Sequence, residues 1–308
     1  MKNVVWTSAL WLLGLALPAL GWAAAPLATV TIADGEAVMI REATRLQLAE
    51  GVRLAPGDLI EATTKTRFLR IEFADGLILD LGPESRAVLA PKFSGDRARL
   101  AARFGLLKGV LKLTVPTAPS ALPPTVASFA TPAFDVTGVA RSAVFIVQAG
   151  ESFAFAESGN LSLQERVGGK PAAATTTVRN GEFFARVGEA KSAITPRPTP
   201  AFIQRLPRPF LDTLPSRAAL FKAREVEPKV LGPLVFADAE DWIDAEGLRP
   251  YFLARWKALA RDPAFREGVA ANLRAHPEWD RILYPEKYQP KPPSATASYQ
   301  TPRQGSTY

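Results

Sequence analysis

Cysteine is missing from all 308 residues. Its absence excludes disulfides, thiolate metal sites, iron–sulfur clusters, a cysteine nucleophile and a lipid anchor carried on cysteine. One histidine, His276, leaves little room for a histidine-based triad or a zinc site built from several imidazoles. No Gly-x-Ser-x-Gly elbow, phosphate loop or dinucleotide fingerprint occurs, so no cofactor is expected. An apolar fraction of 47% is ample for a buried core, and the length suits one or two domains.

The net charge of +7 suggests nucleic acid or a membrane surface at first sight. Counted by segment, the suggestion fades. Residues 26–190 carry 18 basic and 17 acidic side chains, and residues 202–288 carry 14 and 13. The other positives, Lys2, Lys191, Arg197, Lys291 and Arg303, lie in terminal and linker segments. Phosphate-backbone binding needs many cations on one surface, because affinity comes from releasing counterions together. No nucleic-acid partner is expected.

Lys2, the apolar run Val4–Leu20 and the small residues Gly21 and Ala23 read as a secretory signal peptide over 1–23, cut after Ala23. The run is short for a spanning helix and is broken by Pro18. The expected location is periplasmic or secreted, with no stable membrane insertion after cleavage.

Over residues 27–190 the apolar period is two. Ile71 and Phe73 alternate with Arg70 and Glu72, Asp75-Gly76 offers a tight turn, and Leu77, Leu79 and Leu81 alternate on the return. Turn signals recur at Asp34-Gly35, Pro56-Gly57-Asp58, Ser94-Gly95-Asp96, Gly168-Gly169 and Asn180-Gly181. The fold class expected is mainly β, a multi-stranded sandwich or a β-helical stack, with Pro116–Pro124 dividing two β sub-lobes.

At this point the residues resemble a known family. Gly51 to Ala62, with its Gly57-Asp58 turn, is similar to the FecR-domain pattern of a glycine, an apolar strand and a Gly-Asp turn. Phe73 to Ser85 resembles the family's phenylalanine, Asp75-Gly76 and Leu-x-Leu stretch ending near a serine. Leu107-Lys108-Gly109-Val110-Leu111 and Thr131-Pro132-Ala133-Phe134-Asp135-Val136 match later landmarks, while Ala140-Arg141-Ser142 departs from the usual Arg-Gly-Thr. The resemblance implies the periplasmic sensor part of an anti-sigma regulator. The chain reads as a stand-alone exported version of that module, with Gly57, Asp58, Asp75 and Gly76 as structural turns.

Six prolines between 195 and 215 point to an extended linker over 191–215. A smaller all-α module is expected over 216–288, followed by a disordered tail over 289–308. Ser216 is placed as the cap of a helix over Ala218–Val226, and Asp238 as the cap of a second helix ending at Gly247. Leu248, Phe252, Trp256 and Leu259 share one face, and Asp262-Pro263 opens a further helix carrying Phe265, Val269 and Leu273. Beyond the leader every tryptophan lies in this module, namely Trp242, Trp256 and Trp279.

Reactive candidates each meet a simpler reading. His276 precedes Pro277 and suits a helix end. The acids Asp238, Glu240, Asp241, Asp244 and Glu246 lack the alternating-ligand loop of a calcium site. Asp58 and Asp75, a conceivable carboxylate pair for hydrolysis of an envelope polymer, each neighbour a turn glycine. The expectation is a non-enzymatic exported protein that binds an envelope protein or small ligand, in sensing or signalling. A hydrolase and a passive envelope scaffold are the alternatives.

Overall fold

The computed structural model describes residues 26–93, 95–117, 127–245 and 248–289. The expected leader, most of the Pro116–Pro124 gap, Ser94, Glu246, Gly247 and the tail beyond Gln289 lie outside the described residues. Among the described residues, no helix is long and apolar enough to cross a membrane.

The chain is mostly β. Its strands are β1 (Ala28–Asp34), β2 (Ala37–Arg41), β3 (Thr44–Gln47), β4 (Arg53–Leu54), β5 (Leu59–Ala62), β6 (Phe68–Phe73), β7 (Ile78–Leu81), β8 (Arg86–Leu89) and β9 (Phe104–Thr114). There follow β10 (Phe129–Ala130), β11 (Phe134–Val139), β12 (Ser142–Gln148), β13 (Glu151–Ser158), β14 (Leu161–Val167), β15 (Lys170–Val178), β16 (Phe183–Val187), β17 (Ala193–Thr195) and β18 (Lys229–Pro233). Helices α1 (Pro200–Gln204), α2 (Phe236–Ile243), α3 (Arg249–Trp256), α4 (Pro263–Ala271) and α5 (Asp280–Leu283) are short.

One strand organises the sheets. The first half of β9 pairs with β8 through Leu89–Phe104 and Val88–Gly105, and lies parallel to β10. Its second half pairs with β7 through Leu81–Leu111 and with β12 through Phe145–Leu111. The change falls at Gly109, whose φ of 111° is open to glycine and costly for any residue with a Cβ. Thus β9 belongs to two sheets, one running β4-β1-β6-β7-β9-β12-β13-β16-β17 and the other β18-β3-β2-β5-β8-β9-β10-β11-β14-β15. Among the described residues, apart from β9–β10, the pairings are antiparallel, which selects a curled sandwich over a β-helix, where successive coils pair in parallel.

The inner faces meet in one core. Val30, Ile71, Leu79 and Leu113 from one sheet pack with Met39, Ile60, Phe104, Phe129 and Phe134 from the other. Strands on both sides of the Pro116–Pro124 gap enter this same core, so the two expected sub-lobes are one body. Arg70 and Glu72 alternate with the core residues Ile71 and Phe73, yet every residue of β6 is buried.

The cover on that outer face is the segment expected as a linker. Phe202 and Phe210 bury themselves against Phe68, Val110, Ile146 and Phe183. Lys112 donates to the Phe210 carbonyl at 2.7 Å, and Arg70 donates to the Leu214 and Pro215 carbonyls at 3.1 Å each. Proline removes N–H donors but leaves the carbonyls, and buried cations satisfy those. The segment is a strap rather than a free connector.

Ser216 does not cap a helix over Ala218–Val226. Its hydroxyl and the N–H groups of Arg217 and Ala218 all reach the Glu72 carboxylate, and only one 3-10 turn forms, over Ala218–Phe221.

The helical region covers the outer face of the other sheet. Trp242, Phe252, Trp256 and Phe265 pack on Ile40, Leu59, Val88 and Leu107. Asp262 caps α4 through the Phe265 N–H at 2.9 Å, as its position before Pro263 implied. Val235 rather than Asp238 stands at the cap of α2; Asp238 sits in the first turn, reaches back to the Val235 N–H at 3.4 Å and pairs with Arg45 at 3.2 Å.

Candidate functional site

The two turns singled out in the sequence lie in different places, each closed by its own guanidinium. Gly57, with φ of 88°, donates its N–H to the Leu89 carbonyl at 2.7 Å. Asp58, 2% exposed, accepts from Arg41 at 2.9 and 2.7 Å and from the Ala55 N–H at 2.8 Å. Arg255 of α3 reaches the Gly57 carbonyl at 2.5 Å, which ties this turn to the helical region. Asp75 and Gly76 turn the β6–β7 hairpin, where Asp75 is paired with Arg103 at 2.6 and 3.1 Å. Burial pushes the Asp75 carboxyl up, but the Arg103 hydrogen bonds and charge outweigh it and hold it below the usual range.

The later landmarks are structural too. Asp135 is the buried centre of an ion cluster, accepting from Arg97 at 2.9 Å and from Arg166 at 2.9 Å, while Arg166 also pairs with Asp96 at 2.5 Å. Lys108 and Gly109 stand where β9 changes sheets.

That change opens a cleft of about 360 Å³. Lys108 ends the first half of β9, Arg86 opens β8, and Gln148 to Glu151 form the β12–β13 turn. Asp241, Asp244 and Ala245, on and just beyond α2, close the opposite wall. Leu107, Ala133 and Val147 supply an apolar lining.

Charges at the rim are linked. Lys108 Nζ lies 2.8 Å from Asp241, which also receives Arg86, and Arg86 Nε lies 3.2 Å from Glu61. Glu61 in turn accepts from the Trp242 indole at 2.7 Å, so α2 and β5 hold the pair from behind. Burial lowers the Lys108 ammonium, and the Arg86 charge beside it lowers it further despite the nearby acids. Burial likewise lowers Arg86. Both cations are thus partly shielded from water while sharing one carboxylate, Asp241.

The acidic run of α2 spreads to separate cations rather than converging. Asp238 faces Arg45, Asp241 faces Arg86 and Lys108, and Asp244 faces His276 Nε2 at 2.9 Å. His276 is 1% exposed, and its other nitrogen is 3.5 Å from Glu278. Among the described residues, no group of three or more His, Cys, Asp or Glu side chains is placed to hold a metal ion. Sequence reasoning missed Arg86, Lys108 and Asp241 as a site, since 133 residues separate the last two; a lysine next to the Gly109 switch was the available signal.

No family model matches the chain, and no curated protein matches it. Among solved structures, two crystal structures of a candidate anti-sigma factor from Parabacteroides distasonis, at 1.65 and 2.50 Å resolution, are similar to it. Each shares 11% identity at a TM-score of 0.34, covering 45% of this chain and 59% of that one. The chain thus spans less than two thirds of the length of these neighbours.

Proposed function

We propose that the chain is an exported, non-enzymatic binding protein of the cell envelope, acting in sensing or signalling, and that the cleft beside Lys108 receives its partner. The partner class is an envelope protein segment or small ligand that brings an acidic group to Lys108 and Arg86 and lays apolar surface on Leu107, Ala133 and Val147. One observation carries this reading: two partly desolvated cations stand at the mouth of an apolar-walled cleft built from both the β body and α2. The closed pairing of Asp58 with Arg41 and of Asp75 with Arg103 supports binding over hydrolysis, since neither carboxylate is poised to activate water. Export rests on the leader read in residues 1–23.

The test is a photoactivatable crosslinker placed in intact cells at Ala149, in the cleft, or at Leu220, remote from it. A discrete adduct from Ala149 that is missing at Leu220 and weakened by Lys108→Glu is expected. Equal adducts at both positions, or none at Ala149, would remove the proposal.

A further inference from the structure

A second cavity, of about 540 Å³, lies wholly within the helical region. Its walls carry three cations, Lys257, Arg261 and Arg266, and one acid, Glu286. Its floor is apolar: Ala260 and Leu283 line it and are buried, Ile282 is half-buried and Pro285 lies exposed at the edge. Arg266 is engaged with the Leu283 carbonyl and the Tyr284 ring. Lys257 and Arg261 are exposed and, among the described residues, their side chains have neither an ion pair nor a hydrogen bond.

Neighbouring cations are treated differently. Lys287 is matched by Asp280 at 2.8 Å, and Arg255 by the Gly57 carbonyl. Two unmatched positive charges thus share one cavity with an apolar floor. A small hydrophilic anion would leave the floor wet, and an uncharged apolar molecule would leave the cations unused. A molecule with an anionic head and an apolar tail satisfies both, because the head gains charge-assisted hydrogen bonds and the tail leaves water. The cavity size falls within the range of small-molecule sites.

We infer that this cavity binds a single monomeric anionic amphiphile, its head between Lys257 and Arg261 and its tail along Ile282 and Pro285. The site is separate from the Lys108 cleft and does not depend on the function proposed for it.

The test uses the mature full chain and calorimetric titration with dodecanoate, below the concentration at which it forms micelles. One dodecanoate per chain is expected. The exposed double variant Lys257→Glu/Arg261→Glu should bind at least tenfold more weakly while keeping the wild-type melting temperature. Glu286→Gln, which removes the opposing acid, should bind a few-fold more tightly, and Lys108→Glu should bind as wild type. Undiminished binding by the double variant would overturn the proposal. So would equal binding of the cationic dodecyltrimethylammonium, or attachment to phosphatidylglycerol vesicles without binding of monomeric dodecanoate.

Discussion

Ser85 and Val110 are joined twice: the Ser85 hydroxyl accepts from the Val110 N–H at 2.9 Å and donates to the Val110 carbonyl at 3.1 Å. The side chain occupies the place where a strand partner would sit, one residue after β9 leaves one sheet for the other. A Cβ on Gly109 would lie 2.2 Å from the Ser85 hydroxyl oxygen and 2.3 Å from its Cα. Gly109→Ala should therefore cost roughly 3 kcal/mol or more, since both the positive φ and the backbone clash oppose it. Ser85→Ala should cost about 1–3 kcal/mol by leaving the Val110 N–H unmatched. Urea unfolding measures both, and a neutral Gly109→Ala would refute the sheet-switching role.

Glu72 gives the strap an acid limit. Burial pushes its carboxyl up, but hydrogen bonds from Ser216, the Arg217 N–H, Thr31 and the Ala218 N–H outweigh this and hold it below its ordinary 4.5. The folded chain has thus released a proton that the unfolded chain still binds just below that value. Stability from this group is complete above about pH 4.5 and drains as the pH falls through the lower folded value. Urea midpoints between pH 7 and 3 should fall below pH 4.5, and Glu72→Gln should flatten part of that fall. An unchanged acid slope would contradict the assignment.

Asp135 neutralises two buried guanidiniums at once. Asp135→Asn leaves Arg97 and Arg166 in a buried site with one charge removed, and should cost about 3–5 kcal/mol. Asp34→Asn, on an exposed, solvent-screened pair with Arg67, should leave stability nearly unchanged. Thermal melts of the two variants side by side check the contrast.

The helical region and the sheet share a core, so they should melt together. A chain lacking residues 1–23 keeps three indoles, Trp242, Trp256 and Trp279, all in that region, while the far-ultraviolet signal is dominated by strands. Trp242 bonds Glu61 of β5, and Trp256 bonds the Glu42 carbonyl at 3.3 Å. Coincident transitions by fluorescence and circular dichroism are expected. Two separated midpoints would show instead that the helices fold on their own.

Local rules reached the β character, the β6–β7 hairpin at Asp75-Gly76 and the Asp262 cap, because each rests on residues adjacent in the chain. They failed where distant residues decide the environment. Arg70 and Glu72 alternate with core residues and read as a wet face until Leu214 and Ser216, 144 residues away, are laid over them. Proline density marked 195–215 as a connector, since it lists the donors that are missing and not the acceptors that remain. The Gly57-Asp58 turn was legible as a turn, whereas its closure by Arg41 and its contact with Arg255 were not. Lys108 and Asp241 could be joined only after β9 had been seen to cross between sheets.

The strap belongs to a late stretch of the polypeptide, whereas the surface it shields is assembled from much earlier residues. A ribosome therefore delivers Phe68, Val110, Val144 and Ile146 well before Phe202 and Phe210 emerge to cover them. Until that late stretch is in place the assembled sheet carries a sticky patch with Arg70 and Lys112 in its midst, which is when chaperone shielding matters most. A product ending near residue 199 would keep the patch for good, and its natural fate is clumping rather than partial function.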